Sequence, residues 1–128
     1  MKPLTLEWVA KAEADFTTAP RELNAADAPN FDAVGFHGQQ CAEKFLKALL
    51  AELGARIPLT HDLGALIDLL FPAAPSWTSS RADADSLSDL AVEVRYPGMC
   101  IDALTARQAL DAATRIRSAV RLSLGLPE

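Results

Sequence analysis

Apolar and polar positions alternate along this chain with the period of a helix, and they do so in five separate stretches. In the first, from about Leu6 to about Thr18, Trp8, Ala12 and Phe16 recur at i, i+4 and i+8 and so share one face. Pro20 and the stretch "NAADAPN" are expected to interrupt it. Asn30 is the expected N-cap of a second helix that runs to about Leu53, with Gly54 placed to close it. Thr60 is expected to cap a third helix, with Asp62 in its first turn and Leu63, Leu66, Ile67 and Leu70 as its stripe; Pro72 should stop it, and "PAAPSW" reads as a loop. Ser80 and Asp83 have capping-box-like spacing for a fourth helix, whose stripe is Leu87, Leu90, Ala91 and Val94, ending at "RYP". Thr105 and Gln108 form a second such box, ahead of a stripe of Ala109, Ala113, Ile116 and Val120.

No strand pattern is present. Short links between amphipathic helices imply antiparallel neighbours, so the expected fold is all-α, an up-and-down bundle of four to five helices forming one domain over residues 1–128. Composition agrees. Half of the residues are hydrophobic but only 6% are aromatic, and alanine and leucine carry most of that apolar content, which favours helices over strands. No apolar run approaches the roughly 20 residues that span a membrane, and the N-terminal stretch lacks the apolar centre of a signal peptide. A cytoplasmic protein is expected. Cys41 and Cys100 then read as reduced, buried thiols rather than a bridge.

Charge and spacing exclude several kinds of chemistry. A net charge of −5 opposes general nucleic-acid binding without excluding a local basic patch. Two histidines and two scattered cysteines give no zinc spacing, and no inward Glu-x-x-His pair suggests a diiron centre, so neither a metal nor a cofactor is expected. Glu43 with Glu52, and Asp83 with Asp85 and Asp89, read as solvated faces. No Walker or GxGxxG loop is present. In the last helix, Arg107, Arg117 and Arg121 fall within roughly 80° of one another; they read as a solvated stripe paired with acids, or else as a phosphate surface.

The stretch "FHGQQCAEKFLKALL", residues 36–50, poses the functional question. With His37 at 0°, Phe31, Val34, Cys41, Ala42, Phe45, Leu46, Leu49 and Leu53 fall between roughly 40° and 180°, and Gln40, Lys44 and Lys47 between roughly 280° and 340°. His37 therefore stands at the border of the stripe, with Gln40 and Lys44 along the helix from it. The bland reading is a histidine packed at the core edge beside solvated lysines. A site needs partners from elsewhere, and the candidates are His61 in "THDL" and Arg95 and Tyr96 in "RYP".

"WVAKAEADF", "FHGQQCAEKFLKALL", "LTHDLGALIDLL" and "EVRYPG", in this order from about Leu6 to about Leu122, resemble a HEPN domain. The resemblance implies a four- or five-helix bundle that often dimerises, association with nucleotides or RNA, and pairing with a small nucleotidyltransferase in a toxin–antitoxin-like module. HEPN ribonucleases resemble one another in an arginine and a later histidine with four to six residues between them. Here the window after Arg95, from Cys100 to Asp102, reads "CID". "RIPLTH", from Arg56 to His61, meets the bare spacing but falls in the link between the second and third helices. The expectation is a non-catalytic, nucleotide- or RNA-associated binding subunit. It would be a homodimer working with a nucleotidyltransferase, with His37, Gln40, Lys44, His61, Arg95 and Tyr96 as the ligand site and no catalytic residue. The alternatives are a divergent ribonuclease toxin and a purely structural dimerisation module.

Overall fold

The computed structural model of the chain describes residues 1–70 and 75–128. Among them are five α-helices, α1 (Pro3–Leu23), α2 (Phe31–Glu52), α3 (Leu63–Leu70), α4 (Arg81–Glu93) and α5 (Ala103–Ser123), with a 3-10 helix at Pro75–Ser80 before α4 and no strand. The all-α expectation holds. The long α2 is the central element and contacts each of the other four helices. Val34, Cys41, Ala42, Phe45, Leu46 and Leu49 of its expected stripe are buried, together with Leu50, while Phe31 is partly buried and Leu53, past the helix end, is exposed. Val9, Ala12 and Ala19 of α1 and Ala109, Ala113, Ile116 and Val120 of α5 complete one core with Leu63, Leu66, Ile67 and Leu70 of α3 and Leu87 and Leu90 of α4. Burial of this kind contributes about 25 cal/mol per Å² of apolar surface. It outweighs propensity in an eight-residue helix such as α3, which would be marginal alone.

Several boundaries differ from the sequence expectation. The first helix passes through Pro20 to Leu23. Pro20 lies in the last turn, so it removes one backbone donor near an end where few bonds remain, and the Asn24 backbone and side-chain amides both donate to its carbonyl. Asn30 caps α2 as expected, accepting from the Ala33 amide at 3.1 Å. Gly54 closes the helix at a φ of 71°, where its own amide bonds to Ala51 and that of Ala55 to Leu50, the two bonds of a Schellman ending.

Asp62, not Thr60, caps α3 by accepting from Ala65, while Thr60 accepts from the Asp62 amide. The 3-10 helix occupies the C-terminal part of the expected "PAAPSW" loop; Pro72 lies outside the described residues. It feeds straight into α4, so Ser80 makes no capping bond and Asp83 instead takes the guanidinium of Arg115 at 2.9 Å. The last helix begins before the expected Thr105 box. Asp102 caps it, accepting from the Thr105 amide at 2.8 Å. Arg95 and Tyr96 lie beyond the end of α4, in the connection to α5. Cys41 is buried as expected, and Cys100 is exposed.

Candidate functional site

The six expected site residues divide into two groups: His37 and Lys44 of α2 meet α1, while Gln40 of α2 is linked through its neighbours to His61, which shares a groove with Arg95. His37 and Lys44 turn towards α1. There Asp15, which the sequence did not single out because its partners lie on another helix, is buried and accepts both: its Oδ1 is 2.7 Å from His37 Nδ1 and its Oδ2 2.6 Å from Lys44 Nζ. Phe36 packs edge-on against the His37 ring. This cluster is internally matched, one carboxylate between two cationic or hydrogen-bonding partners. It holds α1 to α2 and leaves Lys44 committed to Asp15.

A buried polar chain also runs along α2. Glu43 and Lys47 are only 3% and 5% exposed, contrary to the expectation that they form a solvated face. Their burial has two covers. The Trp8 ring of α1 lies 5.6 Å from Lys47 Nζ, and His61 of the α2–α3 connection folds back over Glu43. Glu43 Oε2 accepts from Lys47 Nζ at 3.1 Å, and its Oε1 accepts from Gln39 Nε2 at 3.1 Å and meets His61 Nδ1 at 2.8 Å. Gln39 also donates to the His61 carbonyl, and Gln40 donates to Gln39 Oε1 at 2.8 Å. Each charge is thus paired and hydrogen-bonded, the condition under which buried ions are tolerated. Lys47 belongs to this chain of bonds, not to an outer basic stripe.

His61 leaves the chain towards solvent, its side chain 62% exposed, and forms one wall of a groove of about 620 Å³ between the start of α3 and the outer face of α4. Asp62, Arg81, Asp85, Ser88, Asp89, Val92 and Arg95 also line it. Gly64 leaves room for the Arg81–Asp85 ion pair of α4 to lie against the start of α3. A Cβ at that position would lie 2.8 Å from Asp85 Oδ1 and 3.1 Å from Arg81 Nη2. Ser88 ties the groove floor to α3 by accepting from the Leu63 amide at 2.9 Å. Arg81 is occupied: it bonds both Asp68 and Asp85, and those bonds raise its pKa above the ordinary guanidinium value. Among the described residues Arg95 forms no ion pair, nor do Asp62 and Asp89. The groove therefore offers one uncommitted cation, two carboxylates without a cation partner and a histidine.

Of the expected residues, then, His61 and Arg95 meet in one groove. Gln40 is linked to His61 through Gln39 and Glu43, Tyr96 stands 59% exposed next to Arg95, and His37 and Lys44, one turn to either side of Gln40 on α2, are bonded to Asp15 and do not line the groove. The arginine stripe of α5 is largely spent within the molecule. Arg117 forks onto Glu13 and packs over Phe16 at 4.3 Å, and Arg121 bonds Glu13 and the Pro127 carbonyl. Arg107 remains exposed. The Cys41 thiol, buried near Asp15 and Glu13, has its pKa pushed far up by burial first and by those acids second, which makes it inert as a nucleophile. Among the described residues no group of three or more His, Cys, Asp or Glu could hold a metal, and no helix is long and apolar enough to cross a membrane.

The architecture is similar to a solved one, the crystal structure of TT1696 from Thermus thermophilus. The match has a TM-score of 0.81 and 22% sequence identity, and it covers 92% of this chain and 96% of that one. At that identity the likeness concerns the fold alone. Comparison with curated proteins gives no match. The model of the HEPN domain matches residues 5–123, nearly the whole length, and the chain belongs to the HEPN domain family.

Proposed function

We propose that this protein is a non-catalytic HEPN-type binding subunit whose groove between α3 and α4 takes a nucleoside monophosphate. The observation that carries the reading is the pairing of His61 with an uncommitted Arg95 on one groove. A guanidinium without an internal partner is suited to a phosphate, which it can bind through two parallel hydrogen bonds. Tyr96, next to it and exposed, offers a ring for a base to stack on. The surrounding charge limits what fits. Asp62 and Asp89 lack cation partners and Arg81 is already neutralised, so Arg95 alone anchors a phosphate against the repulsion of two aspartates, and a polyphosphate or a long RNA strand meets more of that repulsion than a single phosphate does. His37 and Lys44, committed to Asp15, are not part of this site.

In this reading the protein acts as a homodimer and works beside a nucleotidyltransferase. Dimerisation and that pairing are what the likeness to HEPN domains implies, and Met99 and Leu104 supply exposed apolar surface between α4 and the first turn of α5. Calorimetric titration with AMP tests the binding. Wild-type protein binds it, and Arg95→Ala weakens binding about tenfold or more, as loss of a charged hydrogen bond requires. Equal binding by both proteins, or by neither, removes the reading.

One observation favours a second reading, a divergent ribonuclease. His61 is held by a carboxylate and shares its groove with an arginine, and metal-independent RNA cleavage asks for a base and a phosphate ligand of this kind. The aspartates of the groove count against it.

A further inference from the structure

Glu43 is a buried carboxylate that bonds a surface histidine, and it constrains that histidine in a specific way. Its two oxygens already accept from Lys47 and Gln39, and beside the Lys47 ammonium it is a carboxylate, which can only accept. His61 Nδ1, 2.8 Å away, must therefore carry a proton and donate it. Nδ1 is taken up by Glu43, which leaves Nε2 as the free nitrogen of an exposed ring that lines the groove. In the neutral ring this Nε2 is a bare acceptor. A histidine meant to bind phosphate would present a donor instead. His61 thus asks its ligand for a hydrogen-bond donor.

We propose that Glu43, from inside the bundle, fixes His61 as the Nδ1–H tautomer and thereby makes its Nε2 the acceptor for a ribose hydroxyl of the nucleotide whose phosphate Arg95 holds. The inference rests on the nucleotide reading above and adds what that reading lacks, a contact to the sugar. The ribose joins phosphate to base, so a group that shares the groove with the phosphate anchor meets the sugar before the base. Glu43 is a positioning residue in this account, acting on the ligand only through His61. Lys47 and Gln39 hold Glu43 itself in place.

Two measurements on the whole chain decide it. The first is the 15N spectrum of the His61 ring in the unliganded protein, followed over pH to its alkaline plateau. Protonated Nδ1 with unprotonated Nε2 is expected, and the opposite tautomer, or an even mixture, overturns the proposal. In Glu43→Gln, whose amide can offer Nδ1 either an acceptor or a donor, the preference should be lost; a preference that survives overturns it too. If that variant does not fold, Glu43→Gln with Lys47→Met removes both buried charges and is read the same way.

The second measurement compares AMP with 2′,3′-dideoxy-AMP. AMP should bind about three- to tenfold more tightly, the worth of one hydrogen bond, and His61→Ala should abolish the difference while Arg95→Ala weakens both ligands. Equal affinities in the wild type, or a difference that persists in His61→Ala, overturn the role of His61. Failure of AMP to bind at all sinks the nucleotide reading and the hydroxyl contact together, and the tautomer still decides whether Glu43 orients His61.

Discussion

Lys44 and Lys47 lie one turn apart on α2, and they differ in what their removal exposes. Lys47 neutralises a Glu43 that is almost wholly enclosed, so Lys47→Ala should cost about 3–5 kcal/mol by leaving a buried charge unpaired. Lys44→Ala leaves Asp15 its bond to His37 and should cost about 1–2 kcal/mol. Arg95→Ala breaks no ion pair and should stay within about 0.5 kcal/mol of the wild type. Chemical denaturation of the three variants gives the order directly. A wild-type-like Lys47→Ala would mean that Glu43 is not charged in the folded protein. The same comparison tests the proposed division, in which Lys44 serves stability and Arg95 can be removed without cost to the fold.

At the scale of elements, the ends of the helices are held by carboxylates as well as by packing. Glu52, at the end of α2, accepts from the Lys2 amide at 3.0 Å and the Thr5 hydroxyl at 2.9 Å, pinning the start of α1. Those two bonds, the backbone one first, hold its pKa below the ordinary carboxylate value. Asp102 at the start of α5 is lowered likewise by its bonds to Thr105. A lowered carboxylate favours the folded state while ionised, so this support is present above the ordinary value of about 4 and is lost as pH falls through the lowered one. Amide exchange should therefore show the first turns of α1 and α5 opening before the middle of α2 as pH is taken below about 4. Simultaneous loss of protection across all helices would contradict it.

The elements themselves were largely legible. The stripe of α2, its Asn30 cap and its Gly54 ending are written in local residue chemistry. The run of α1 through Pro20 was not, because the penalty for proline depends on how much helix follows it. Nor was the burial of Glu43 and Lys47. They stand on the polar side of α2 and are covered only because Trp8 and His61 arrive from other parts of the chain. The groove pairing of His61 with Arg95 was one arrangement among several that the sequence allowed, since it depends on how α3 meets α4.

The whole molecule is a bundle around α2 that encloses one buried polar chain and opens one mixed-charge groove. Its exposed apolar residues between α4 and α5 suit a second copy, and light scattering at tens of micromolar should report a homodimer; a monomer would contradict that part of the account. Purified protein should leave transfer RNA and messenger RNA intact, since the window after Arg95 holds Cys100 where the ribonucleases of this family have histidine. Cleavage that disappears in His61→Ala would instead make the groove catalytic.

The claim on which the rest depends is that the ligand sits between His61 and Arg95. The measurement that tests it most directly is a nuclear magnetic resonance titration of isotope-labelled protein with AMP, following the Arg95 side-chain Nε–H and the His61 ring together with the backbone. The account predicts saturable shifts at His61, Arg95 and Ser88, with the Asp15–His37–Lys44 cluster unmoved. Shifts centred on His37 and Lys44, or none at Arg95, would contradict it.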